Sequence, residues 1–316
     1  MPINRVQFQK GLSLGEFMRR YGTEEQCIAA LEQSRWPGGF VCPSCRDTRH
    51  SIFVRDGRRH FQCCRCRTQT TITAGTIFAD TKLPLRLWFL AMYLLTQSKN
   101  NVSALELMRH LGVGYRAAWR LKQKLMAVMM IREERRVLKG RVEIDDAYLG
   151  GERPGTTGRG SENKIPFVIA VQTCEQGRPQ YMSLAPLRFT NADLSRWAHR
   201  ALAPDARIVS DGLHCFRAAG TEVAAHERIV VGSGRKAVEH SAFKAVNTVL
   251  GNLKTAINGT YHAFDFSKYG HRYLAEAAYR FNRRFDLAAM LVRLLRAAAV
   301  TAPWPEPRLR LAESRA

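Results

Sequence analysis

Two stretches of this 316-residue chain put carboxylates where apolar side chains would be expected. Glu143, Asp145 and Asp146 interrupt the run Val142-Glu143-Ile144-Asp145-Asp146-Ala147-Tyr148-Leu149. That run reads as a buried strand, and a carboxylate there is costly unless a cation neutralises it. Asp211 ends a short apolar strand, Ile208-Val209-Ser210, and is followed by Gly212. Carboxylates held on rigid elements can converge on divalent ions ~3.5–4 Å apart, the arrangement used for in-line displacement at phosphorus. The residues alone leave open which of Glu143, Asp145 and Asp146 leads. A strand-end Asp before Gly is also a common plain turn. A further ligand is sought on a helix expected over 239–258, which carries Glu239, His240, Asn247, Asn252 and Lys254. His240, Asn247 and Lys254 recur every seven residues, so they share one helix face. That face points either into an acidic site or into solvent.

Four cysteines form a second constellation. Cys42-Pro43-Ser44-Cys45 and Cys63-Cys64-Arg65-Cys66 are C-x-x-C pairs separated by seventeen residues. This spacing suits a zinc ribbon, in which four thiolates close a tetrahedron around a structural ion. Cys64 lies between two ligands and could compete in register. Phe53 and Phe61 are expected to pack the small hairpins, and Arg55, Arg58, Arg59, Arg65 and Arg67 suit phosphate contact.

A third pattern spans residues 103–121. Ser103 caps a helix with Leu105 and Met108 expected inward. Leu111-Gly112-Val113 forms a turn, and a second helix buries Ala118 and Leu121. This is the grammar of a helix-turn-helix, with Arg116, Arg120, Lys122 and Lys124 as the DNA-facing residues, beside Tyr115. The same pattern also describes an ordinary helical hairpin in a core.

The elements that must position these groups follow from periodicity. Residues 1–35 are helical, 36–80 are a ribbon and 81–131 are a helical DNA-binding domain. A charged linker covers 132–140. An α/β core runs over 141–300, with strands at 141–149, 165–174, 179–188 and 206–210, another near 226–231, and helices at 191–202, 239–258 and 270–299. The tail, 301–316, holds three prolines and is expected to be poorly ordered. The loop 150–164, rich in Gly and charge, is expected to be mobile and to bind DNA or close over the site.

Composition bounds the partners. There are 49 Lys+Arg against 27 Asp+Glu, a formal net charge of +22 and a pI near 10.2. Such a chain seeks a polyanion, and with aromatics among the cations nucleic acid is favoured. No apolar run of ~20 residues and no opening signal peptide are evident, so no membrane role and a cytoplasmic, nucleoid-associated location are expected.

The order of these motifs resembles the bacterial insertion-sequence transposases of the ISXO type, over about residues 20–290. The resemblance rests on Cys42-Pro43-x-Cys45 with Cys63-x-x-Cys66, Ala74-Gly75-Thr76-Ile77-Phe78 with Pro84-Leu85 and Trp88, and Glu143-Ile144-Asp145-Asp146-Ala147-Tyr148-x-Gly150-Gly151. It continues through Ser210-Asp211-Gly212, Asn247-x6-Lys254, Gly259-Thr260-Tyr261-His262, and Tyr273-Leu274-x-Glu276 leading to Tyr279-Arg280-Phe281-Asn282-Arg283-Arg284. The resemblance implies a multidomain α/β protein. A zinc ribbon and a helix-turn-helix would precede a mixed-sheet, RNase H-like DDE/N core. It implies Asp145, Asp211 and Asn247 as the catalytic, Mg²⁺-binding triplet, with Lys254 beside it. The ions would be two Mg²⁺, with Mn²⁺ as a substitute. Cys42, Cys45, Cys63 and Cys66 would hold zinc. An Asn amide ligates through its oxygen but brings no charge, so Glu239 and Glu276 are candidates to assist. Arg283 and Arg284 are read as phosphate contacts, or else as a helix end packed on the sheet with Asn282 buried. The implied activity is cleavage of double-stranded DNA at terminal inverted repeats by water, then strand transfer by the freed 3′-OH, carried out by a homo-oligomer on DNA. A structure-specific nuclease with the same core and a non-catalytic DNA-binding regulator are the alternatives. The paired acidic residues speak against the regulator.

Overall fold

The computed structural model describes residues 6–150, 164–230, 240–261 and 265–311. The chain divides into two compact units. One comprises residues 1–128 with 285–309, the other residues 129–284 together with 310–316.

In the first unit, α1 (Leu14–Tyr21) and α2 (Glu24–Arg35) each start at a side-chain cap. Thr23 and Gln26 satisfy each other's backbone N–H groups in a capping box. Strands β1 (His50–Arg55), β2 (Arg58–Cys63) and β3 (Gln69–Thr71) form an antiparallel sheet in that order. One face of it packs Phe61 against Trp36 and Phe40, at 4.9 and 5.5 Å between ring centroids. Phe53 is only half-buried and lies on the other face, so only Phe61 fills the packing role expected of both.

Helices α3 (Leu85–Gln97), α4 (Ala104–Leu111) and α5 (Tyr115–Glu133) follow. Ser103 caps α4, and Gly112 ends it with φ +63°, a left-handed conformation that glycine adopts without a Cβ penalty. The buried face of α4 is Ala104, Leu107 and Leu111. Leu105, expected inward, is exposed, because the apolar stripe of the helix falls one residue away from it.

In the second unit, β4 (Arg141–Leu149), β5 (Ile165–Thr173), β6 (Pro179–Pro186), β7 (Arg207–Ser210) and β8 (Ala225–Arg228) make one sheet in the order β6-β5-β4-β7-β8. β4, β5 and β6 are antiparallel neighbours, and β7 and β8 run parallel to β4. This is the RNase H-like arrangement, with β4 in the centre. Helices α6 (Asn191–Ala201) and α7 (Phe216–Gly220) cover one face. There Val142, Ile144, Val168, Ala170 and Ile208 pack against Leu194, Trp197, Ala198 and Phe216. Helix α8 (Lys244–Thr260) packs on β4 and β5. Helix α9 (Phe266–Asn282) lies along β6.

The helix expected over 270–299 is two helices. Asp286 accepts from the Ala289 N–H and starts α10 (Leu287–Val300), which packs on α2 and α3. Against expectation, residues 301–311 of the tail are ordered: Trp304 and Leu309 are buried and a short α11 (Glu306–Arg310) forms. Apolar anchors override the proline content there.

Candidate metal centre and nucleic-acid surfaces

Parallel pairing of β4 with β7 sets Ile144 opposite Ser210. The residue after each is an aspartate, Asp145 within β4 and Asp211 just past the end of β7, so the two emerge side by side. One carboxylate oxygen from each of Asp145, Asp146 and Asp211 lies within 4.8 Å of the others. All three residues are half-buried. Asp145 accepts from the Asp146 N–H at 2.8 Å, and Asp211 accepts from the Leu213 N–H at 3.0 Å, which fixes both carboxyl groups on backbone. Burial first, then the charges of Asp146 and Asp211, push the Asp145 carboxyl up to about 7. The Asp146 N–H and the Lys254 amine pull the other way. Three acids this close repel one another, and a divalent cation relieves that repulsion. Their all-oxygen donor set suits Mg²⁺ or Mn²⁺.

Strand alternation predicts Asp146 on the opposite face from Asp145. Beyond the last β4–β7 pair, Ile144 with Ser210, its carboxyl nevertheless joins the cluster. Pattern reading gives no signal for this beyond the adjacency of two acids.

Glu143 has a different place. It is 2 % exposed and accepts from Arg141 Nη1 at 2.6 Å and from the Val246 N–H at 2.9 Å. It therefore anchors the first turn of α8, where a carboxylate satisfies an orphan N–H and meets the positive end of the helix dipole.

Asn247 follows Val246 in that first turn and is half-buried. Lys254 lies further along the same helix, is exposed, and is near enough to Asp145 to lower its pKa. His240 is outside the helix, which begins at Lys244. Its ring instead accepts from the Ala242 N–H, so it does not share a helix face with Asn247. Glu276 is fully buried and accepts from the Tyr261 hydroxyl at 2.6 Å. It is not among the converging carboxylates of the described residues. Glu239 and the loop 151–163 lie outside the described residues.

In the ribbon, the four sulfurs of Cys42, Cys45, Cys63 and Cys66 lie within 4.8 Å of one another. The two knuckles repeat one backbone pattern. The Arg46 N–H bonds the Cys42 carbonyl and the Arg67 N–H bonds the Cys63 carbonyl, with Arg46 and Arg67 at φ +67° and +61°. Hydrogen bonds from Thr68, first its hydroxyl and then its backbone, bring the Cys66 thiol down to about 6, towards the thiolate that binds metal. Four cysteine sulfurs this close together fit a tetrahedral structural zinc and leave no open position. Cys64 is exposed and outside the cluster.

The cations expected on DNA divide. Arg116 and Arg120 are exposed on α5, and Arg120 also pairs with Glu306 at 3.1 Å. Lys122 is 1 % exposed, with its amine donating to the Val102 carbonyl, so the expectation that it meets DNA is corrected. Lys124 donates to the Ile77 carbonyl at 3.1 Å and sits over Trp88. From Lys122 onward α5 is buried on nearly all sides, which leaves little outward face for phosphate. Arg283 is paired with Glu133 and lies 3.5 Å from the Tyr279 ring centroid. Arg284 donates to the carbonyls of Pro179 and Gln180 at 2.6 and 2.9 Å. Asn282 exchanges hydrogen bonds with both backbone groups of Met182. Of the two readings of this segment, the packed helix end is the one observed: Arg284 is corrected from a phosphate contact to a clamp on β6, and Arg283 from a phosphate contact to a partner of Glu133 and the Tyr279 ring.

Comparison with known proteins bears on both centres. Residues 137–282 match the ISXO2-like transposase domain, and residues 22–69 match the transposase zinc-ribbon domain. A Halobacterium salinarum protein described as an uncharacterized protein in transposable element ISH50 is 33% identical over 172 residues. The match covers 48% of this chain and 56% of the relative, so the chain spans little more than half the length of that relative. Two solved assemblies of the Mos1 transposase, a paired-end complex with the left transposon end and a pre-cleavage transpososome, align over 62% of this chain. They cover 76% and 75% of their own chains, at 12% and 11% identity and TM-scores of 0.20 and 0.19. That likeness is too loose to carry structure or function across.

Proposed function

We propose that the chain is the DNA transposase of an insertion sequence, on the premise that residues 137–282 match an ISXO2-like transposase domain and residues 22–69 a transposase zinc ribbon. The observation that carries the reading is the convergence of Asp145, Asp146 and Asp211 within 4.8 Å in a chain of net charge +22. Excess positive charge holds the polyanion, and a local acidic cluster holds the cations that phosphoryl transfer needs.

Asp145 and Asp211 are the residues that hold the ions, Mg²⁺ or its substitute Mn²⁺. Once bound, these would activate the attacking oxygen and neutralise charge at the leaving one. Asn247 adds an amide oxygen from the helix side. Asp146 supplies the third carboxylate charge that Asn247 lacks. Lys254 meets a non-bridging phosphate oxygen and holds the scissile group in line. In the first reaction water bonds to phosphorus at the element's end, and the bond to the 3′ oxygen breaks, leaving a 3′-OH. In the second that hydroxyl attacks a target phosphodiester and displaces another 3′-OH. One phosphodiester forms as one breaks, so no nucleotide triphosphate is consumed.

The modules over 36–80 and 81–131 are assigned to end recognition, with Tyr115, Arg116 and Arg120 facing the groove. Two ends must be paired before joining, which calls for at least two copies of the chain on DNA. The test is a cleavage and joining assay on the element's own end sequences with Mg²⁺. Asp145→Ala and Asp211→Ala abolish both products while end binding persists. Joining by Asp211→Ala at the unvaried rate would refute the assignment.

A further inference from the structure

The solvent face of the ribbon sheet carries an aromatic surface that the metal and the ribbon core leave unused. Register places Phe53 opposite His60 and Arg55 opposite Arg58, all four on the face away from Phe61. The Phe53 and His60 rings stack at 5.3 Å with 19° between planes. The Arg55 guanidinium lies 5.3 Å from the centre of the Phe53 ring. On the same face Gln69 donates to Gln62 at 2.8 Å, which braces the platform's flank. Arg55 and Arg58 are exposed, and Phe53 and His60 are half-buried. The opposite face provides the ribbon core, with Phe61 packed on Trp36 and Phe40, so Phe53 is not needed to hold the fold. Residues 49–67 contain six arginines against a single acid, Asp56 at the hairpin tip.

A flat aromatic pair flanked by guanidinium groups is the chemistry that binds unpaired bases. Each base stacks on a ring while the cations follow its phosphates. Duplex DNA offers such a surface only its edges and backbone. We infer that this face of the ribbon is a stacking platform for single-stranded DNA, with Phe53 and His60 taking a base and Arg55 and Arg58 the adjoining phosphates. The inference deepens the DNA-binding part of the proposed function and rests on it. It is separable from the chemistry because its test reads binding alone.

The probe is a fluorescein-labelled oligo(dT) 20-mer, titrated in parallel with a 20-base-pair duplex, using the full zinc-loaded chain without Mg²⁺. Phe53→Leu weakens oligo(dT) binding about tenfold or more and leaves duplex binding within about twofold. Phe53→Trp retains or improves oligo(dT) binding. Arg55→Gln with Arg58→Gln weakens oligo(dT) binding and flattens its salt dependence. Unchanged oligo(dT) affinity in Phe53→Leu overturns the platform, as does an equal loss on the duplex. If Phe53→Leu loses its zinc, the Phe53→Trp and double-arginine variants decide. Unaltered salt dependence in the latter, or loss of oligo(dT) binding in a folded Phe53→Trp, overturns it. Failure of the unvaried chain to bind either probe would instead count against the proposed function.

Discussion

Asp146 and Lys122 are the two positions where side-chain placement departs most from what a pattern predicts. Asp146 joins Asp145 and Asp211 although strand alternation sends it to the other face. If it supplies the charge that Asn247 lacks, Asp146→Asn lowers the joining rate about 10- to 100-fold. The loss is partly recovered at higher Mg²⁺, which a rate series across metal concentrations would display. A rate insensitive to this substitution would leave Asp146 a bystander. Lys122 is the reverse case, a cation read as DNA-facing that is buried and bonded to the Val102 carbonyl. Lys122→Ala is expected to destabilise the chain by about 2–4 kcal/mol in urea unfolding, through lost packing and an orphaned carbonyl. DNA affinity of the folded protein should change by less than about twofold. A selective loss of affinity at full stability would return Lys122 to the DNA surface.

Among the elements, α8 carries Asn247 and Lys254, the proposed partners of the acidic cluster, and is tied to β4 by Glu143, so under the proposed function its placement decides whether the site is assembled. Glu143→Ala leaves the Arg141 guanidinium and the Val246 N–H without that carboxylate and removes a buried ionic anchor. The expected cost is about 3 kcal/mol. Slowed joining should accompany it even where the folded fraction is restored by lower temperature. Unchanged unfolding midpoints would contradict this role. The elements also show how much a single sequence discloses. The cysteine knuckles were legible because four ligands at fixed spacing admit few geometries. The central β4 and the strand-end Asp211 were legible because acids stand out in apolar runs. Glu143 as a helix anchor was not, since its partner lies about a hundred residues away in sequence. The break after Asn282 carried a readable signal in Asp286, an N-cap before an apolar run, which the continuous helical pattern masked. Arg283 and Arg284 read as a basic patch in sequence, and only three-dimensional placement shows what they hold: Glu133 for Arg283 and the β6 carbonyls for Arg284.

At the scale of the whole molecule, a basic chain has to remain folded while its surface repels itself, and titratable groups partly withdrawn from water, such as the half-buried His271, help to set where that holds. His271 lines a small cavity with Glu134, Arg200 and Trp197, whose indole Nε1 is buried without a hydrogen-bond partner among the described residues. Burial first, then Arg200 and Arg272, lowers the His271 pKa to about 4. The unfolded imidazole takes a proton near 6.5, so the unfolded state binds more protons between 6.5 and 4. His271 therefore costs no stability above 6.5, and stability is lost as pH falls through that window, by up to about 3 kcal/mol. His271→Gln should flatten that part of the profile, measured as urea midpoints from pH 7 to 4. An unchanged slope would show the imidazole to be solvated. Among the described residues no helix is long and apolar enough to cross a membrane, and a net charge of +22 is what the proposed binding of DNA would draw on.

The central claim is that Asp211, beside Asp145, ligates the ions that act on DNA. Asp211→Cys exchanges a hard oxygen ligand for a soft sulfur and tests that contact directly. DNA joining by this variant should be lost with Mg²⁺ and restored with Mn²⁺ or Cd²⁺, while the unvaried chain works with Mg²⁺. Full activity of Asp211→Cys in Mg²⁺, or no recovery with either softer ion in a folded protein that still binds DNA, would contradict it.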